Sequence, residues 1–255
     1  MTVRRLLEVC VDSPNGLLAA IQAGADRIEL CSSLALQGLT PTPGLMALAG
    51  RQAVPSYPMI RPHPGEFRYS PLDVDVMRGD IDAARAAGLA GVVIGANRPS
   101  GELDEEVLAA LVEHAQGLRL TLHRAFDLVP DFAKALEIAV DLGFERILTS
   151  GGARTAMQGA ETLRDLVVRA GDRISIMAGS GVTTANLAEL VRKTGVREVH
   201  GSFGALVYGR EGGEEPGARA AELGFAMLER KDTLGASVAA AAEILRGLES
   251  QPMVP

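Results

Sequence analysis

Cysteine and long apolar runs are the scarcest features of this 255-residue chain, which has two cysteines and no tryptophan. A small secreted fold held by disulfides needs more cysteines than Cys10 and Cys31 provide. No apolar run approaches the roughly 20 residues of a membrane-spanning helix, and Glu8 and Asp12 interrupt the apolar stretch near the start. These absences predict a cytoplasmic protein with no membrane partner and with both thiols reduced.

Positive charge is also in deficit. Lys and Arg number 25 against 32 Asp and Glu, which gives a net charge of -7 at pH 7. An acidic chain with scattered arginines is a poor match to nucleic acid. The composition, 47% hydrophobic and 22% charged, is that of an ordinary globular protein, and the length fits one domain over residues 1–255.

Short β-rich segments alternate with longer Ala- and Leu-rich segments along most of the chain. This alternation predicts βαβ units around a parallel sheet, whose nearly continuous apolar strands are covered on both faces. The predicted strands are 6–11, 27–31, 57–61, 91–95, 119–123, 146–150, 173–178 and 198–202. The predicted helices are 15–23, 43–52, 74–87, 105–116, 132–142, 160–170 and 184–194.

Four predicted helices end in a glycine that leads at once into a strand, namely Gly24, Gly88, Gly143 and Gly195. Glycine accepts the left-handed conformation that often ends a helix. Two βα units separate successive members of the set, and this repeat favours a closed, TIM-like (β/α)8 barrel over an open doubly wound sheet. Beyond the eighth strand, residues 209–217 predict a mobile loop and residues 238–248 a closing C-terminal helix.

Three predicted strands share an acidic residue followed two positions later by Cys or His. Because alternate strand residues face the same side, the apolar middle residue should face the helices and the other two the barrel axis. Strands 8, 1 and 2 are neighbours in a closed barrel, so these side chains should line one arc of its mouth. The triplets are Glu8-Val9-Cys10, Glu29-Leu30-Cys31 and Glu198-Val199-His200.

Further polar residues fall at strand ends, where barrels of this kind carry their functional groups. Arg61 could grip a carboxylate or phosphate with two hydrogen bonds, and His123, Arg124 and Asp127 end or follow strand 5. Buried acids need an arginine, a metal or a shared proton as a partner, and Arg61 and Arg124 are the arginines that could balance their charge. Glycine-rich turns after strands 6 to 8 predict an anion or phosphate site, formed by Ser150, Gly151, Gly152, Gly179, Ser180, Gly181, Gly201 and Ser202.

Several longer motifs carry a family resemblance. They include Leu7-Glu8-Val9-Cys10-Val11-Asp12-Ser13, Gly24-Ala25-Asp26-Arg27-Ile28-Glu29-Leu30-Cys31, Met59-Ile60-Arg61-Pro62 and His123-Arg124-Ala125-Phe126-Asp127. In these motifs the chain resembles the CutC family of copper homeostasis proteins, from about residue 6 to residue 203. The resemblance implies a TIM-like barrel, a cytoplasmic homo-oligomer and Cu(I) binding by two cysteines that match Cys10 and Cys31.

The chain departs from the family pattern after strand 3. The family usually has Arg-Gly-Gly-Asp-Phe after Arg-Pro, where this chain has His63-Pro64-Gly65-Glu66-Phe67. The added His63 could join a metal site or replace an arginine.

Two functions follow as hypotheses. The first is copper homeostasis, with Cu(I) bound by Cys10 and Cys31 and with His200 as a third donor. The alternative is a barrel enzyme of the lyase, isomerase or hydrolase type, acting on a small anionic or phosphorylated substrate. Its catalytic groups would be Glu8, Glu29, Arg61, His123, Arg124, Asp127 and Glu198.

Overall fold

Eight parallel strands of the computed structural model form a barrel, and this arrangement confirms the predicted fold class. The structure describes residues 4–206, 222–224 and 231–249, so the loop predicted at 209–217 lies outside the described residues. The barrel strands are β1 (Leu6–Val11), β2 (Arg27–Leu30), β3 (Ser56–Pro58), β4 (Gly91–Ile94), β5 (Arg119–Leu122), β6 (Arg146–Thr149), β7 (Ser175–Ala178) and β8 (Glu198–Gly201).

The strands follow the order β3-β2-β1-β8-β7-β6-β5-β4. The two ends of this order meet at one bridge, where Met59 pairs with Val93 and the Ile60 N–H donates to the Val93 carbonyl at 2.9 Å. The barrel is therefore nearly closed. β3 ends at Pro58, earlier than the predicted residue 61, although the Met59 N–H still donates to the Leu30 carbonyl of β2 at 2.9 Å.

Five of the described helices begin after a residue whose side chain caps the first turn. The side chains of Ser13, Thr42, Ser70, Asp104 and Asp131 each accept a first-turn backbone N–H. The described helices are α1 (Pro14–Gln22), α2 (Pro43–Ala49), α3 (Pro71–Ala86), α4 (Glu105–His114), α5 (Phe132–Asp141), α6 (Ala160–Ala170), α7 (Leu187–Thr194) and α8 (Gly235–Glu249). The predicted closing helix is α8, which extends further at both ends.

Strand residues alternate between the helices and the barrel axis as predicted. Val9, Leu30 and Val199 are fully buried in the apolar core, together with Leu17 and Ala20 of α1. The acids, thiols and imidazole on either side of these residues consequently face the barrel interior.

A second, two-stranded sheet and two short 3-10 helices were not predicted. In this sheet β9 (Gly204–Leu206) pairs antiparallel with β10 (Lys231–Thr233). The 3-10 turns cover Leu34–Leu36 and Arg124–Leu128. Within the described ranges, every helix is too short or too polar to cross a membrane.

Candidate functional site

Charged side chains from β1, β2, β6 and β8 meet inside the barrel. Arg27 pairs with both Glu8 and Glu198, and Arg146 Nε donates to Glu198 at 3.2 Å. All four residues are buried. Burial alone would raise the pKa of Glu8, but Arg27 and His200 reverse this effect and lower the pKa to about 2. Glu8 is therefore a fixed negative charge.

The arginines that balance these acids are not the expected ones. Arg124 instead pairs with Asp127, with 2.6 Å between Arg124 Nε and Asp127 Oδ2. The guanidinium of Arg61 donates to backbone carbonyls. The expectation that Arg61 and Arg124 neutralise the acids was wrong, and Arg27 and Arg146 do so. Arg27 is in phase with Glu29 on β2, so the same period-two rule could have found it.

Cys10, Glu29 and His200 bring a sulfur, an oxygen and a nitrogen within 4.8 Å of one another. Neighbouring strands hold them together: Cys10 is opposite Glu29 in the β1–β2 register, and His200 is opposite Glu8 across β1 and β8. His200 Nδ1 lies 2.8 Å from a Glu8 oxygen, and its Nε2 lies 3.7 Å from Glu29 Oε2. Glu8 thus orients the ring, leaving Nε2 on the side of Glu29.

The charge states of His200 and Glu29 depend on each other. Burial lowers the pKa of His200, but Glu29 and Cys10 outweigh burial and raise it well above its ordinary value. Burial raises the pKa of Glu29, and nearby Glu8 adds to this. Glu29 Oε1 is buried and has no hydrogen-bond partner among the described residues. An unpartnered acceptor beside a thiol and an imidazole suits a bound cation.

Cys31 lies beside this cluster. Its thiol donates to Glu29 Oε2 at 3.5 Å, and its side chain is fully buried against Tyr57, Met59 and Val93. Burial, Glu29 and Cys10 raise the pKa of the Cys31 thiol well above its ordinary value. Cys31 is therefore held as a neutral thiol behind Glu29, and both cysteines are free of disulfide bonds.

A cavity of about 870 Å³ opens at the strand ends above the cluster. Of the predicted site residues, those lining it are Cys10, Glu29, Arg61, His123, Arg124, Asp127, Ser180, Gly181, His200, Gly201 and Ser202. The cavity lining does not include Glu8, Cys31, Ser150, Gly151, Gly152, Gly179 or Glu198. The sequence analysis did not identify the lining residues Phe67 and Lys231. Phe67 lies on an irregular segment, and Lys231 lies on β10, a strand that the sequence did not predict.

The turn after β6 already holds an anion, the carboxylate of Asp127. The Ser150 and Gly152 N–H groups each donate to Asp127 Oδ1 at 3.0 Å, and the Thr149 hydroxyl donates to the same oxygen at 2.5 Å. The Gly151 N–H donates to Thr149 Oγ1 at 2.9 Å. The glycine-rich pattern thus marked amides that bind a carboxylate, but in this turn the carboxylate belongs to the protein.

His63, the departure from the family pattern, packs at the surface. Its ring meets the Tyr69 ring edge-on at 5.6 Å, and its Nε2 lies 3.6 Å from Asp73 Oδ1. It does not line the cavity. The structure therefore keeps His63 away from the Cys10–Glu29–His200 cluster.

The chain is similar to known proteins of one family. Residues 5–205 match the CutC family. A family protein CutC from Caulobacter vibrioides is 60% identical over 245 residues, covering 96% of this chain and 98% of that protein. The counterpart from Sinorhizobium medicae is 55% identical over 250 residues, covering 97% and 99%. A crystal structure of a Streptococcus agalactiae CutC assigned to copper homeostasis is 33% identical, with a TM-score of 0.75 over 78% of this chain and 98% of that one. The chain belongs to the CutC family.

Proposed function

We propose that this protein handles copper in the cytoplasm and binds Cu(I) as its cargo at Cys10, Glu29 and His200. The observation that carries the proposal is the approach of their sulfur, oxygen and nitrogen atoms to within 4.8 Å of one another. Metal–ligand bonds of roughly 2.0–2.3 Å let atoms this close share one ion. Cu(I) prefers soft donors, which Cys10 and His200 supply, and the Streptococcus agalactiae relative is assigned to copper homeostasis.

The surrounding residues fit a metal-binding role. Glu8 holds His200 through Nδ1, which leaves Nε2 as the nitrogen for a metal, and such carboxylate–histidine pairs orient metal ligands. Cys31 donates to Glu29, so we assign it a positioning role. This division differs from the sequence hypothesis, in which Cys10 and Cys31 were equivalent ligands.

Cu(I) titration of the reduced protein under anaerobic conditions, against a chromophoric Cu(I) chelator, tests the proposal. We expect Cys10→Ser to remove most of the affinity, because it deletes the soft thiolate. Cys31→Ser is the matched control and should weaken binding by about tenfold or less, since a serine hydroxyl can still donate to Glu29. Equal binding by Cys10→Ser and the unmodified protein would contradict copper binding here, and equal losses in both variants would contradict the division of roles.

The catalytic alternative receives less support from the geometry. Glu8 and Glu198 are held in the ion-pair network with Arg27, and Asp127 is occupied by the turn after β6.

We retain homo-oligomer formation as a proposal that rests on the family resemblance, which light scattering on the purified protein would test.

A further inference from the structure

The cavity has a second polar region on the side of β3 and β5. Its volume of about 870 Å³ is far larger than a single ion needs and lies within the range of small-molecule sites, roughly 300–1,000 Å³. Arg61 follows β3 and His123 follows β5, and both line the cavity. Neither belongs to the Cys10–Glu29–His200 cluster.

Arg61 is a buried cation without a counter-ion. It is 5% exposed, and its terminal nitrogens donate to the carbonyls of Leu36, Gly38 and Gly65 at 2.9, 3.0 and 3.3 Å. Its Nε has no hydrogen-bond partner within the described ranges, where no carboxylate forms an ion pair with it. Buried charges are normally paired, as Arg27 is with Glu8 and Glu198, so the unpaired charge of Arg61 indicates a place for an anion.

His123 adds a donor of known direction. The Ala125 N–H donates to its Nδ1 at 3.0 Å, and burial together with the charge of Arg61 lowers its pKa to about 3. The imidazole is therefore neutral with its proton on Nε2, an assignment that follows from the hydrogen bond at Nδ1. That Nε2–H is buried and has no acceptor in the part of the chain that the structure describes.

Phe67 joins the two residues. Its ring centroid lies 4.7 Å from that of His123 and 4.9 Å from the guanidinium carbon of Arg61. Phe67 has a φ of 59°, a left-handed conformation that costs energy for a bulky residue. The Asn97 N–H holds it by donating to the Phe67 carbonyl at 2.8 Å.

We propose that Arg61 and His123 form a binding site for the carboxylate of a small organic molecule held in the cavity. Arg61 Nε–H and His123 Nε2–H supply two donors for the two carboxylate oxygens. The uncompensated charge is that of one guanidinium, which matches a carboxylate better than a doubly charged phosphate. Both nitrogens are screened from water, so the ligand reaches them when the Phe67 ring turns aside. The site goes beyond copper binding, because none of the three copper donors takes part.

Thermal melting of the metal-free full chain in sodium acetate tests this site, with sodium chloride and acetamide at matched concentration as references. We expect acetate to raise Tm saturably, from which an apparent Kd follows, and the references to have no comparable effect. Arg61→Gln should weaken acetate binding by about tenfold or more, because a hydrogen bond to a charged group is lost. Arg51→Gln, at an exposed arginine, is the matched control and should leave Kd unchanged.

His123→Asn is the second variant, because an asparagine oxygen can still accept the Ala125 N–H while the Nε2–H donor is lost. It should weaken acetate binding by about fivefold to tenfold, and it keeps the test decisive if Arg61→Gln does not fold. The site is disproved if acetate acts no differently from chloride, or if both folded variants bind acetate as the unmodified protein does. Tighter binding of inorganic phosphate than of acetate would overturn the assignment to a carboxylate.

Discussion

Single residues inside this barrel owe their charge state to the side chains beside them. Glu8 and His123 are both fully shielded from water or nearly so, at 0% and 2% exposure. Glu8 faces Arg27 and stays ionised, with a pKa of about 2. His123 is buried near the cation Arg61 and stays neutral, with a pKa of about 3. At the same degree of burial one side chain is therefore ionised and the other neutral, because Glu8 has an opposite charge beside it and His123 has a like charge near its protonated form.

The neutral state of His123 predicts a loss of stability in acid. In the unfolded chain its pKa is near 6.5, against about 3 when folded. As the pH falls from about 6.5 towards 3, the unfolded chain gains a proton that the folded protein does not, so up to about 1.4 kcal/mol of stability is lost per pH unit. Urea unfolding between pH 7 and pH 4 should show that the free energy of unfolding falls less steeply with pH in His123→Asn than in the unmodified protein.

His114→Asn is the control for this prediction. His114 is at the surface, where its side chain is 32% exposed beside Asp82. We expect this variant to keep nearly the full acid dependence of the unmodified protein. Parallel stability curves for His123→Asn and the unmodified protein would show that His123 does not carry the effect.

The turn that follows β6 is stabilised by the carboxylate of Asp127. Its carboxylate accepts hydrogen bonds from Thr149, Ser150, Gly152 and Arg124. Both oxygens are used, since Arg124 Nε donates to Oδ2 while Thr149 and the N–H groups of Ser150 and Gly152 donate to Oδ1. This turn connects β6 to the segment that leads into α6, so Asp127, which itself lines the cavity, fixes the path of the chain between these two elements.

Asp127→Asn should therefore destabilise the protein although it changes few atoms. The asparagine side chain would place its NH2 group against N–H and O–H groups that are themselves hydrogen-bond donors, so these bonds would be lost. We expect the free energy of unfolding to fall by about 1.5–3 kcal/mol and the Gly152 amide to exchange faster with solvent. Asp131→Asn is the matched control, because Asp131 caps α5 and asparagine caps helices equally well. Equal stability of the two variants would contradict this role for Asp127.

Strand periodicity explains which side chains could be predicted from the sequence to face the barrel interior. It correctly directed Glu8, Cys10 and Glu29 inwards, but it carries no information on depth along the barrel axis. Glu8 consequently lies in the ion-pair network, whereas Cys10, two residues later, reaches the cavity. Cys31, one residue beyond the end of β2, also faces the interior, but it packs against Tyr57, Met59 and Val93 and does not line the cavity. Tertiary packing, not local pattern, separated the two cysteines.

Across the whole molecule, the barrel is paired unevenly. β1 is matched with β2 and with β8 at four register positions each. The seam between β3 and β4 has a single bridge, Met59 to Val93. Its backbone hydrogen bonds run from Ile60 N–H to the Val93 carbonyl at 2.9 Å and from Ala90 N–H to the Ser56 carbonyl at 3.2 Å. The seam is thus the place where the closed barrel has least backbone pairing.

We predict that the barrel opens first at this seam. Local openings need less free energy where few hydrogen bonds must break, so the amides of Ile60 and Ala90 should exchange with solvent through openings that cost less than global unfolding. The Leu6 N–H donates to the Arg197 carbonyl beside β8 at 2.9 Å, and the Cys31 N–H donates to the Val11 carbonyl of β1 at 2.8 Å. These two amides should exchange only on global unfolding. Native-state hydrogen exchange measured by NMR over a range of low urea concentrations separates the two classes, because only the second should depend strongly on urea. Since Arg61 directly follows Ile60, saturating acetate should slow the Ile60 exchange, and equal protection of all four amides would contradict a weak seam.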